Sequence, residues 1–221
     1  MPRFAPLKAA PVTVLFALAA ITASWPDASA AQSVRYRIVP EESEVRYKVR
    51  ERIARLNFPT DAVGATREIT GALILDDAGQ VTASSRFEVD LRTLKSNRER
   101  RDRYLRQNTL QTAQYPLMVF EPTALDGLAY PLPTSGTHAF RLVGQMTLHG
   151  VTKEAIWEAE LEFSADGARG LATTRFTFGD YNLTIPRMIA LLSVADDILL
   201  ELDLVFVLVE GSPDRGGSAP E

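Results

Sequence analysis

The residues that could do chemistry in this chain are few. His138 and His149 and a complete lack of cysteine leave little for a metal ion. The two histidines fall near opposite ends of one predicted strand, and a zinc site completed by carboxylates alone is uncommon, so no metal site and no cofactor are expected. No G-x-S-x-G elbow, P-loop or G-x-G-x-x-G occurs, which removes the usual sequence handles of hydrolase, nucleotide and dinucleotide chemistry. Glu158, Glu160 and Glu162 repeat with period two opposite Trp157 and Leu161, the pattern of a solvated strand face rather than an acid–base pair. No catalytic residue is expected. The densest chemical feature is cationic: Arg92, Lys95, Arg98, Arg100, Arg101, Arg103 and Arg106, offset by Glu99 and Asp102. Such a cluster is either a solvated helix surface with local ion pairs, or the rim of a binding mouth. In the second case guanidinium forks suit an anionic head group, with Arg98, Arg101 and Arg106 as the candidates.

The elements that must position these residues are strands. Val34, Tyr36 and Ile38 alternate with Arg35 and Arg37; after Pro40 to Ser43, Val45, Tyr47 and Val49 alternate with Arg46 and Lys48, which reads as a hairpin. Ile69 to Leu75 turns at Asp76 to Gly79 into a run from Val81 to Leu91. Phe140 to Leu148 turns at His149-Gly150 into Ala155 to Phe163, and Ala172 to Phe178 and Ile198 to Leu208 follow. Ser96-Asn97-Arg98-Glu99 has capping-box spacing, which predicts a short α-helix at about 97–107, and a second helical turn is expected near Arg187 to Leu192. Antiparallel strands with one apolar face must bury those faces together, as a barrel or a sandwich. The longest runs exceed the usual ~5–6 residues and at ~3.3 Å per residue span roughly 35–40 Å, which suits an extended barrel. The fold class is therefore all-β.

The first thirty residues have the layout of a cleaved export signal: Arg3 and Lys8, an apolar stretch from Ala9 to Ala23, then Ala28-Ser29-Ala30. The stretch falls short of the ~20 residues that cross a bilayer. Three segments are expected: a signal at 1–30, one domain at 31–210, and a disordered Gly-, Ser- and Pro-rich tail at 211–221. The location is then periplasmic or secreted. Cleavage after Ala30 moves the net charge from −4 to −5, which gives no reason to bind nucleic acid.

Arg101-Asp102-Arg103-Tyr104-Leu105, followed by Tyr115-Pro116-Leu117-Met118-Val119-Phe120, resembles the R-D-x-x-L and Y-P-x-x-x-F signature of the YceI-like family. Gly144 to Lys153 resembles that family's G-x-L-T-x-H-G-V-T-K hairpin, and Arg175 to Gly179 its R-x-x-F-G segment. The resemblance implies a lipocalin-like antiparallel barrel, exported by bacteria, whose interior binds polyisoprenoids or other amphiphiles. The chain departs from the family where F-F-D would precede Y-P, reading Thr109-Leu110-Gln111-Thr112, and where Asn57 to Arg67 replaces a glycine-rich stretch.

The reading that results is a binding protein, not an enzyme, holding a long-chain isoprenoid or other amphiphilic lipid inside a tube. Its expected walls are Phe87, Met118, Phe120, Phe140, Leu142, Met146, Trp157, Ala159, Leu161, Phe176, Phe178, Leu202 and Phe206. Transient membrane-surface contact is a further expected partnership. A lipid- or isoprenoid-modifying enzyme and a solid-core module docking through its basic helix remain the alternatives.

Overall fold

The computed structural model describes residues 33–54, 56–189 and 191–210. The expected export signal and tail lie outside them. Eleven strands and one α-helix follow in chain order: β1 (Val34–Ile38), β2 (Glu44–Ile53), β3 (Thr60–Thr66), β4 (Ile69–Leu75), β5 (Arg86–Asp90), β6 (Lys95–Ser96), α1 (Glu99–Tyr104), β7 (Leu117–Asp126), β8 (Gly136–Leu148), β9 (Val151–Ser164), β10 (Gly167–Phe176) and β11 (Leu191–Glu210). The ring β1-β4-β5-β7-β8-β9-β10-β11 closes on itself through β1–β11, giving an eight-stranded antiparallel barrel. The predicted all-β barrel is present, and alternation is its cause. Every second residue of β9, from Ala155 to Phe163, is buried, while Glu158, Glu160 and Glu162 between them face solvent.

The expected hairpin at Pro40 to Ser43 is not formed. β1 and β2 both run antiparallel to β11, with Ile38 opposite Phe206 and Val45 opposite Leu202, so the turn kinks one long stave and does not reverse it. The fully buried Ser43 holds the kink: its hydroxyl accepts from Val205 N–H at 3.0 Å, while Val39 N–H reaches Val205 O at 2.8 Å. The reversal comes later, between β2 and β3. The β3 strand, built on Ala62 and Gly64, has too little side chain to signal itself in sequence.

The run from Val81 to Leu91 is also shorter than expected, since only Arg86 to Asp90 is strand. The buried Ser85 hydroxyl bonds Ile74 N and O at 2.9 and 3.0 Å, and so takes the place of ladder pairing. In sequence, β3 leads into β4 across two residues and β5 into β6 across four, so β2, β3 and β6 extend the barrel at one end only.

That end carries the helix. The α-helical turns cover Glu99 to Tyr104 and pass into a π-helical turn over Leu105 to Thr109, later than the expected 97–107. The capping box does not form, because Ser96 belongs to β6 and its hydroxyl and N–H both donate to the buried Asp102, at 2.5 and 3.0 Å. Of the helical turn expected near Arg187 to Leu192, the described residues keep a single hydrogen-bonded turn, Leu191 N–H to Met188 O at 2.9 Å, and Leu191 already opens β11. At the β8–β9 hairpin His149 (φ 51°) and Gly150 (φ 75°) supply the two positive φ angles of a two-residue type I′ turn.

Halfway along the barrel the interior is closed by aromatics. Phe120 meets Trp157 edge-on at 5.9 Å between ring centres, and Phe87 meets Phe206 at 6.0 Å. Met146 is buried beside them.

Candidate functional site

A void of about 830 Å³ opens at the helix end. One wall is Arg98 to Arg101, Tyr104 and Leu105; a second is Pro186 to Ile189 with Leu191 and Val194; the barrel side is Tyr47, Val49, Ile53 and Ala62. Tyr104 Oη accepts the Arg187 N–H at 3.4 Å and joins the first two walls. A smaller, almost wholly apolar void of about 90 Å³ continues inward between Val45, Leu91, Met118, Leu148 and Leu200. The two share Tyr47, Val49, Leu105 and Phe178 as walls, so they are neighbouring chambers, the inner one the more apolar.

Tyr47 stands at the waist between them, and burial pushes its phenol up to about 12, so it is a neutral hydroxyl at any physiological pH. Opposite it β3 carries glycine, and a Cβ at Gly64 would lie 2.4 Å from the Tyr47 ring, so a side chain there would displace the ring.

The sequence-predicted walls divide. Met118, Phe176 and Phe178 line the inner chamber. Phe140, Leu161 and Phe206 line a separate void of only about 30 Å³ beyond the aromatic belt. Phe87, Phe120, Leu142, Trp157, Ala159 and Leu202 border none of these voids. Five of them belong to one hydrophobic core and Leu142 packs against it, in an eight-stranded barrel narrow enough for side chains to fill. Met146 and Phe176 face a lateral crevice of about 520 Å³ where the β9–β10 ladder stops at Glu158 opposite Thr173. Lys153 pairs there with Asp180 at 2.8 Å. The Lys153 ammonium, with the Thr177 N–H and hydroxyl, holds that carboxylate far below the usual range, so the pair weakens only as strong acid protonates Asp180. Among the described residues no three histidine or carboxylate side chains converge as metal ligands.

The arginines divide too. Arg98 is exposed at the mouth. Arg101 lines it but is engaged: its guanidinium donates to Glu51 at 3.3 Å, Ser96 Oγ at 3.2 Å and Asn97 Oδ1 at 2.6 Å. Arg101 and Glu51 side chains are 11% and 10% exposed. Arg106 is no part of the mouth and donates to the Leu94 carbonyl at 3.3 Å. Arg101→Gln is therefore expected to cost about 1–3 kcal/mol of stability by leaving Glu51 without its donor, measured by urea unfolding, while Arg98→Gln stays within about 0.5 kcal/mol of the parent. Equal small effects would show that Arg101 does not fasten the helix to β2. Sequence reasoning placed Arg100 in the cationic cluster without choosing it as a head-group candidate, and missed Arg187 and the apolar wall of Pro186, Met188, Ile189 and Leu191, which has no periodicity to give it away.

A family model described as the YceI-like domain matches residues 36–206. The chain belongs to the YceI-like family. The fold agrees with solved structures. One is a polyisoprenoid binding domain from Saccharophagus degradans implicated in plant cell wall breakdown, 15% identical over 79% of this chain and 98% of that one, with a TM-score of 0.60. Burkholderia cenocepacia BcnA matches at 13% identity over 78% and 99%, TM-score 0.57. A Campylobacter jejuni YCEI protein matches at 18% over 73% and 91%, TM-score 0.51. No curated protein sequence matches.

The residues that carry the YceI-like resemblance turn out to be fasteners. Arg101 and Asp102 anchor α1 to β2 and β6. Tyr115 packs on His149 at 4.5 Å between ring centres, and a Cβ at Gly150 would come within 2.8 Å of it. Lys153 holds Asp180, and Arg175 holds Asp197 at 2.6 Å.

Proposed function

We propose that this YceI-like chain is an exported carrier that holds one polyisoprenoid or similar long-chain amphiphile. The tail occupies the two chambers at the helix end, and any anionic head lies beside Arg98 and Arg100. The supporting observation is the pair of chambers, about 830 and about 90 Å³, sharing four wall residues and becoming more apolar inward. The larger falls in the range of roughly 300–1,000 Å³ typical of small-molecule sites. Apolar burial at ~25 cal/mol per Å² suffices to retain such a chain, so binding needs no catalytic group. The likeness to the S. degradans domain, whose name states polyisoprenoid binding, points the same way. The aromatic belt limits the site to the helix end and leaves the far void outside it.

The test is native mass spectrometry of the purified protein before and after organic extraction, followed by reloading with a C40 prenol. A stoichiometric mass lost on extraction and regained on reloading is expected. A protein that neither carries nor takes up prenol overturns the proposal.

Residues 1–30 act in this reading as the export signal, with 31–210 the binding domain. Exported protein is expected to begin at Ala31 by N-terminal sequencing; retention of Met1 would refute cleavage.

A further inference from the structure

The mouth of the cavity is surrounded by side chains that nothing in the barrel covers. Ile53 lies opposite Leu191 in the β2–β11 ladder, so the loop after β2 and the segment before β11 leave the barrel side by side. Both carry large apolar side chains into solvent. Phe58 is 62% exposed on the first, Ile189 is fully exposed on the second, and Leu192 is 64% exposed at the start of β11. Leu192 has no partner on β2: Leu191 pairs with Ile53 and Ser193 with Arg52, so it is the extra residue of a bulge. Single exposed apolar residues need no explanation, but three on adjoining segments at a cavity mouth do.

The charge at this end is one-sided. Arg52, Arg98, Arg100, Arg103 and Arg187 are exposed here, and among the described residues none forms an ion pair with a carboxylate. Elsewhere the barrel's basic side chains are commonly paired, Arg46 with Glu44 and Asp203, Arg169 with Glu162, Arg175 with Asp197. Two acidic side chains line the mouth, Glu51, which is buried against Arg101, and Glu99, which is exposed. The concentration is local, since the chain as a whole carries a net charge of −4. A surface with protruding apolar tips and unpaired guanidinium groups between them is complementary to a lipid bilayer with anionic head groups: the tips need hydrocarbon and the arginines need phosphate.

We propose that this end docks on an anionic membrane surface. Phe58, Ile189 and Leu192 enter the boundary between head groups and acyl chains, while Arg98, Arg100 and Arg187 meet lipid phosphates. Arg98, Arg100, Arg187 and Ile189 also line the cavity, so docking sets its mouth against the bilayer and an amphiphile passes between the two without crossing water. This inference rests on the carrier reading above.

Co-sedimentation with vesicles tests it, using phosphatidylcholine alone and phosphatidylcholine mixed with phosphatidylglycerol. The parent is expected to bind the mixed vesicles and to lose them as salt rises from ~0.1 to ~1 M, where the screening length falls from ~10 to ~3 Å. The variant Arg98→Gln/Arg100→Gln/Arg187→Gln is expected to bind mixed vesicles on the order of a hundredfold more weakly, and the same three changes to Lys to retain binding. Phe58→Ser/Ile189→Ser/Leu192→Ser is expected to lose at least tenfold. All these positions are exposed, and unchanged circular dichroism verifies the fold. No binding by the parent, equal binding to both vesicle types, or full binding by either defective variant overturns the proposal. Equally tight binding to soluble polyglutamate overturns it in favour of an acidic protein partner. Prenol loading measured without vesicles separates the two readings. A loaded protein that ignores vesicles removes only the docking, and a docking protein that never loads removes the carrier.

Discussion

Ala62→Trp is expected to leave the barrel folded and to remove most of the lipid it carries. Ala62 sits on β3 opposite Val49, is buried, and forms part of the wall of the outer chamber. An indole there has about 830 Å³ to enter, so it displaces ligand and not protein. Each excluded CH₂ is worth ~0.8 kcal/mol, and excluding two or three already weakens binding roughly tenfold or more. Native mass spectrometry should record the fall in bound prenol, with circular dichroism unchanged. The companion change Ala159→Trp should behave differently. Ala159 faces Phe140 on one side and Ala172 on the other and borders none of the four voids, so enlargement overpacks the barrel by about 1–3 kcal/mol. If Ala159→Trp emptied the protein without destabilising it, and Ala62→Trp left it loaded, the ligand would lie on the other side of the belt from the helix.

Trp157→Ala is expected to be the most destabilising single change in the belt. The side chain is 2% exposed, meets Phe120 edge-on and stands opposite Leu142 in the β8–β9 ladder. Truncation leaves a cavity that close-packed neighbours cannot fill, at a cost of about 3–5 kcal/mol, which lowers Tm by roughly 6–20 °C in a domain of this size. Thermal unfolding followed by near-ultraviolet circular dichroism measures it. The indole N–H finds no acceptor among the described residues, so Trp157→Phe removes an unsatisfied donor along with some packing and should cost less than half as much. A loss below about 1 kcal/mol for Trp157→Ala would mean that the indole borders ligand space and that the belt is part of the tube.

Much of this was legible in the residues, for reasons that are local. Alternation with period two in Ala155 to Phe163 and Ile198 to Phe206 depends on nothing but the pleat, and the inward set it marks is the buried set. The His149-Gly150 turn follows from the φ angles that a two-residue hairpin requires. Of the arginine cluster, for which the residues left a solvated surface and a binding rim both open, Arg98, Arg100 and Arg101 lie beside an opening.

Tertiary structure alone decided the rest. Whether the turn after Ile38 reverses or kinks depends on Ser43 finding Val205, far along the chain. Whether an inward side chain meets a void or another side chain depends on the opposite wall. Met118 therefore lines a chamber, while Phe120, two residues on along β7, closes the belt against Trp157. Arg98 and Arg101 are alike in sequence, and only the approach of Glu51 from β2 makes one a fastener and leaves the other at the mouth. Sequence by itself determined the barrel and its inward faces, because strand periodicity is a property of one segment. The site needed the fold, because a cavity is a relation between segments that no single stretch of chain contains.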